Sequence, residues 1–165
     1  MKKQLLFIGV LISLTLLSCG TNKQETYDVT SLLSVVEQKV DKEVTISGIV
    51  THVCRHSGKR CFIVANGSDE TIRIEAGGEI ASFDQELVGT EITAKGIVRE
   101  QRIEEEKIEE KEKNLEVKKA EAEDETAKGH CANEQNSIDK MRQWMQDNGK
   151  DYYAIYYIEG LSLVE

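Results

Sequence analysis

Glu43-Val44-Thr45-Ile46-Ser47-Gly48-Ile49-Val50 and Glu91-Ile92-Thr93-Ala94-Lys95-Gly96-Ile97-Val98 repeat one pattern. In each, apolar and polar residues alternate, the period-2 signature of a half-buried strand. In each, a glycine stands before two apolar residues. Glycine weakens a strand interior, so its presence marks a bend, a bulge or a close backbone approach. Two bent strands of this kind suit a small closed sheet, in which every strand must tilt and coil.

Working outward, the first strand continues to Cys54, and Ser57-Gly58 reads as a turn. Arg60 to Ala65 is a second strand, Asn66-Gly67 a hairpin signal, and Thr71 to Ala76 a third strand that ends at Gly77-Gly78. Glu79 to Leu87 reads as a helical turn or loop with Ile80, Phe83 and Leu87 on one side. The fourth strand starts at Gly89 and runs through Glu91 to Val98. Upstream, Leu32, Leu33, Val35, Val36 and Val40 predict a short leading helix over Asp28 to Val40, with Asp28 or Thr30 as N-cap.

Downstream of Val98 the composition changes. Glu100 to Glu125 is dense in Glu and Lys and reads as a solvated helix supported by pairs such as Glu109 with Lys113 and Glu116 with Lys119. Gly129 is expected to break it. A second helix is expected from Asn133 to Asp147, with Ile138, Met141, Trp144 and Met145 as its apolar stripe and Asn148-Gly149 as its C-terminal stop. Tyr152 to Val164 is the last strand, rich in Tyr and Ile.

The 165 residues carry a net charge of −9, which opposes sequence-independent binding to nucleic acid. There is no Gly-rich phosphate loop, no nucleophile elbow and no Ser-His-Asp ordering. These absences favour a binding module over an enzyme.

The chain opens with Lys2 and Lys3 and an apolar run from Leu5 to Leu17, too short to span a bilayer. This is the pattern of a secretory signal. Leu16-Leu17-Ser18-Cys19-Gly20 resembles the bacterial lipobox. That resemblance implies cleavage before Cys19 and acylation of its thiol and new amino group by palmitate-class chains. Residues 1–18 are then a lipoprotein signal peptide, 19–27 a tether, and 28–165 one domain with a helical insertion at 100–149. The expected location is the cell envelope, lipid-anchored at the outer membrane and facing the periplasm.

Three strands, a short helical link and two further strands resemble the OB-fold, a five-stranded Greek-key barrel. More narrowly, the chain resembles the tRNA-anticodon-binding-like OB domains of small bacterial envelope lipoproteins. The resemblance covers roughly Val36 to Val98 plus Tyr152 to Val164. The departure is the long helical hairpin between the fourth and fifth strands. The expected class is therefore mainly β: an OB-like barrel with that insertion, preceded by a short helix.

All three histidines and every cysteine after Cys19 fall in two segments, His52-Val53-Cys54-Arg55-His56-Ser57-Gly58-Lys59-Arg60-Cys61 and His130-Cys131. Thiolates with imidazoles are a ligand set for zinc. In an OB barrel the loops after the first and fourth strands border one face. Cys54, His56, Cys61, His130 and Cys131 are thus the candidate metal ligands, with zinc the expected ion. The competing reading is a Cys54–Cys61 disulfide across the turn, natural in an oxidising compartment. A redox or metal-handling role for that pair is the alternative function. Arg55, Lys59 and Arg60 form a basic turn able to hold an anion. Tyr152, Tyr153, Tyr156 and Tyr157 are candidates for base stacking, although cross-strand packing is the commoner use of such residues, and nucleic acid is the least favoured partner. The preferred expectation is a lipid-anchored OB module that binds a metal, a small anion or an envelope partner around its first hairpin.

Overall fold

The computed structural model describes residues 25–164. Cys19, the expected signal segment and most of the expected tether lie outside them. Thr26–Asp28 forms a short strand, β1. Two short helices follow, α1 (Val29–Leu33) and α2 (Val36–Lys39), in place of one continuous helix. Asp28 caps α1 by accepting the Ser31 amide at 2.7 Å. The chain then builds β2 (Glu43–Val53), β3 (Arg60–Val64), β4 (Thr71–Glu75), a single 3-10 turn at Gln85–Leu87, and β5 (Glu91–Glu104). Two long helices, α3 (Glu105–Glu121) and α4 (Glu125–Asn148), precede the final strand β6 (Tyr152–Val164).

β2, β3, β4, β6 and β5 are hydrogen-bonded in that order, and β5 returns to β2 to close the barrel. All pairings within this ring are antiparallel except β4 with β6. This is the expected OB-like Greek-key topology. β1 lies parallel to the first half of β2, beside Thr45, Ile46 and Ser47. Strand alternation sends Val44, Ile46, Val50, Val53, Cys61, Ile63, Ile72, Ile74, Ile92, Val98 and Ile158 to the interior, all under a tenth exposed. Val29, Leu32 and Val36 from α1 and α2 join this core, as do Ile80 and Phe83.

The two strand glycines mark close approach. A Cβ on Gly48 would lie 2.8 Å from the Val64 carbonyl oxygen, and one on Gly96 2.6 Å from that of Glu159. The register of β5 against β6 shifts at Gly96, where the strand bends. The shift in β2 falls between Val50 and His52, two residues beyond its glycine.

Two boundaries differ from expectation. β5 extends through Glu104, paired with β6 as far as Tyr152. The expected start of the solvated helix is therefore strand, and the sheet leaves the barrel as a two-stranded ribbon. Gly129 does not break the hairpin; it lies inside α4, which Asp124 starts by accepting the Ala127 amide at 2.7 Å. One interior glycine costs a helix only about 1 kcal/mol, which a long packed helix absorbs. Gly149 ends α4 as expected, in the left-handed conformation with φ 60°.

The hairpin has a core of its own. Ile108 and Leu115 on α3 meet Cys131, Ile138 and Met145 on α4, and Ile103, Tyr153, Met141 and Trp144 pack at the margins. The buried positions repeat every seven residues on each helix, a single-file coiled-coil seam. Arg142 pairs with Glu105 and Glu112, and Lys118 with Glu134, across the seam.

Candidate functional site on the outer barrel face

The alternation that buries Cys61, Ile63, Ile72 and Ile74 turns their neighbours outward. Register then sets them in one line. His52 on β2 stands opposite Phe62 on β3. Phe62 stands opposite Arg73 on β4, Arg73 beside Tyr157 on β6, and Tyr157 opposite Arg99 on β5. Imidazole, phenyl, guanidinium, phenol and guanidinium thus follow one another around the outside of the closed barrel, with Phe62, Arg73 and Tyr157 in the middle and His52 and Arg99 on its flanks.

The row is held by its own contacts. The His52 and Phe62 rings lie 5.9 Å apart at 49°. The Arg73 guanidinium sits 4.7 Å from the Tyr157 ring centroid, a cation–π stack. Arg99 donates to Glu159 at 2.6 Å and to Asp41 at 2.5 Å. Arg73 Nε is 3.1 Å from Glu75 Oε1 but off line for a hydrogen bond, and this buried N–H has no acceptor among the described residues. Arg60 Nε approaches the same carboxylate at 3.7 Å. The arginines are therefore matched by carboxylates. The face offers forked donors and acceptors between aromatic rings, without an uncompensated cation patch.

The turn after β2 borders this row. The Cys54 amide donates to the Arg60 carbonyl at 2.9 Å, and the Gly58 amide to the Cys54 carbonyl at 2.8 Å. The Ser57 hydroxyl lies 3.5 Å from Cys54 Sγ. That bond, with the Ser57 and His56 amides, holds the Cys54 thiol below its usual pKa, and Arg60 adds a smaller electrostatic pull. Cys61, one residue along from Arg60, points into the core, where burial pushes its thiol up to about 11. Both thiols are free, half-buried Cys54 at the turn and Cys61 in the interior. Of the expected anion-binding trio, Lys59 donates to the Ala81 carbonyl at 2.5 Å and Arg60 faces Glu75. Arg55 has no such partner among the described residues.

The expected convergence of Cys54, His56, Cys61, His130 and Cys131 does not occur. Cys131 lies in the hairpin seam and Cys61 in the barrel core, two separate apolar clusters. His130 is exposed on α4. Among the described residues no three His, Cys, Asp or Glu side chains group to hold a metal. The reason is that the hairpin leaves β5 at Glu104, far along the strand from the Glu91 end that lies beside the turn after β2, and the continuous α4 carries His130 and Cys131 further from the sheet. The tyrosines also divide. Tyr153 packs edge-on against Trp144, with ring centroids 5.3 Å apart, and belongs to the hairpin base. Tyr157 alone of the four stands in the outer row. Sequence reading missed Phe62, Arg73 and Arg99, and treated His52 only as part of the cysteine segment. The one signal for them was their place between buried strand residues.

No family model matches the chain, and the search of curated proteins finds no match.

Proposed function

We propose that the protein is a non-enzymatic OB-type binding module, held at the bacterial envelope by a lipid on Cys19, whose outer barrel face takes a glycan strand. The observation that supports this reading is the row His52, Phe62, Arg73, Tyr157 and Arg99. Aromatic rings pack on the apolar faces of sugars, while Arg and Glu forks serve hydroxyls as donors and acceptors. Charge compensation along the row and the net charge of −9 disfavour a polyanion. OB barrels use this face for oligosaccharides as well as oligonucleotides.

Calorimetric titration of the chain with chitohexaose tests the reading. Saturable binding is expected, weakened at least tenfold by Phe62→Ala or Tyr157→Ala. Failure to bind chitohexaose, or tight binding of a ten-residue oligothymidylate at physiological salt, contradicts it. The lipid anchor has its own test. Cys19→Ala should move the protein from the membrane fraction to the soluble one and abolish labelling by a palmitate analogue.

A second reading has one observation in its favour. That reading is a thiol-dependent redox or metal-handling protein using Cys54 and Cys61; its support is the half-buried Cys54 thiol at the turn, whose pKa the Ser57 hydroxyl and the turn amides lower, while Cys61 is buried.

A further inference from the structure

A different surface carries an inference independent of the glycan reading. β6 pairs with β5 along its whole length from Tyr152, but with β4 only over Tyr157 to Glu159. Tyr152-Tyr153-Ala154-Ile155-Tyr156 therefore has a strand on one side and, among the described residues, none on the other. The matching stretch of β5 leaves the barrel beyond Val98 in the same way. That stretch carries Arg99, Glu100, Arg102 and Glu104, the charges by which natural sheets protect a free edge. The β6 stretch carries none. It combines high β propensity with no charge, the composition that pairs most readily with another strand.

A cleft of about 450 Å³ meets this edge at Tyr156. Leu33, Val35 and Val36 form one wall, Trp144 and Asn148 the other, and Tyr156 and Glu70 close the lining. Within the cleft Glu37 is neutralised by Lys150 at 2.6 Å. Lys150 is itself held over the Trp144 and Tyr152 rings, at 5.3 and 5.5 Å. Glu70, just ahead of β4, has no cation beside it among the described residues and gives the rim its charge.

We propose that this edge and cleft dock an extended polypeptide segment of a partner protein by β-augmentation, with apolar side chains alternating with Lys or Arg. These five residues, Ala154 buried and the others half-buried, lack a second strand partner among the described residues and span roughly 17 Å of backbone at about 3.3 Å each. Main-chain hydrogen bonds supply the affinity, and the side-chain pockets supply the choice. Apolar residues of the guest enter the slot between the α1–α2 segment and Trp144, and a basic residue meets Glu70. A second copy of the chain fits less well. It brings the same acidic rim and its own net charge of −9.

Trp144 is the only tryptophan, so its emission reports on the cleft. The full chain, in detergent, is titrated with an acetylated peptide of three Lys-Val repeats, and in parallel with its Glu-Val counterpart. A saturable emission change is expected with the Lys-Val peptide, together with slowed hydrogen exchange of the amides between Tyr152 and Tyr156. The Glu-Val peptide should bind at least tenfold more weakly. Glu70→Lys, an exposed position that leaves the fold intact, should reverse that order. No saturable response to the Lys-Val peptide overturns the proposal, as does an unchanged preference in Glu70→Lys. If the same amides gain protection with protein concentration alone, alongside dimer formation in sedimentation, the edge is filled by a second copy and the proposal also fails.

Discussion

Replacing Gly129 by Ala separates two accounts of the hairpin. A helix-breaking glycine uses backbone freedom that alanine lacks, so substitution there would destabilise the protein. In the structure Gly129 is an interior residue of α4, and no atom lies within 4 Å of the Cβ that alanine would add. It also lies outside the set of glycines with positive φ. Gly129→Ala therefore meets no clash and no strain, and gains the propensity difference of about 1 kcal/mol. For a domain of this size that corresponds to a rise in Tm of roughly 3 to 4 °C in a circular-dichroism melt. If the hairpin opens locally, the gain appears as about fivefold slower amide exchange over residues 125–131. A fall in Tm, or faster exchange there, would refute the continuous helix. It would also return His130 and Cys131 to a loop able to fold back on the barrel.

Gly96→Ala should do the opposite. Its new methyl would collide with Ile158 and with the Glu159 carbonyl, and a backbone atom cannot rotate away. A loss of about 3 kcal/mol is expected by urea unfolding, and a loss under about 1 kcal/mol would show that β5 and β6 are not in close contact there. Thr45→Val removes a buried hydroxyl that has no partner among the described residues, and should stabilise the protein by about 1 kcal/mol; destabilisation would reveal a hidden hydrogen bond. Iodoacetamide on the native chain should modify Cys54 before the buried Cys61 and Cys131. Its rate should level off below the pH at which an ordinary thiol ionises, because Ser57 and the turn amides favour the thiolate. Equal rates at all three thiols would contradict the burial.

The barrel was legible because alternation survives in every strand. The Gly48 and Gly96 motifs sit where another backbone passes, so the residues that signalled closure are those that permit it. The ends of elements were less legible. Glu100 to Glu104 has helical composition but pairs with Tyr152 to Tyr156, because the long partner strand offers backbone hydrogen bonds and ring contacts that local propensity cannot foresee. Arg102, for example, stacks over Tyr152 at 4.2 Å. The expected Cys/His convergence is not seen among the described residues for a related reason. Sequence proximity collected the cysteines and histidines, whereas Phe62, Arg73, Tyr157 and Arg99 become neighbours only through cross-strand register.

A spin-label distance between Cys54 and position 130, introduced as His130→Cys with Cys131→Ser, tests most directly whether the barrel face stands apart from the hairpin residues. From position 130 to Asn148 the helix alone covers ~27 Å at 1.5 Å per residue. Cys54 follows the end of β2 that lies beside Glu91, whereas the hairpin leaves β5 at Glu104, roughly 40 Å of strand away at about 3.3 Å per residue, so the predicted distance distribution lies wholly beyond ~25 Å. A population within ~15 Å, too short for that strand separation, would show the two segments meeting and restore a shared Cys/His centre as the candidate site.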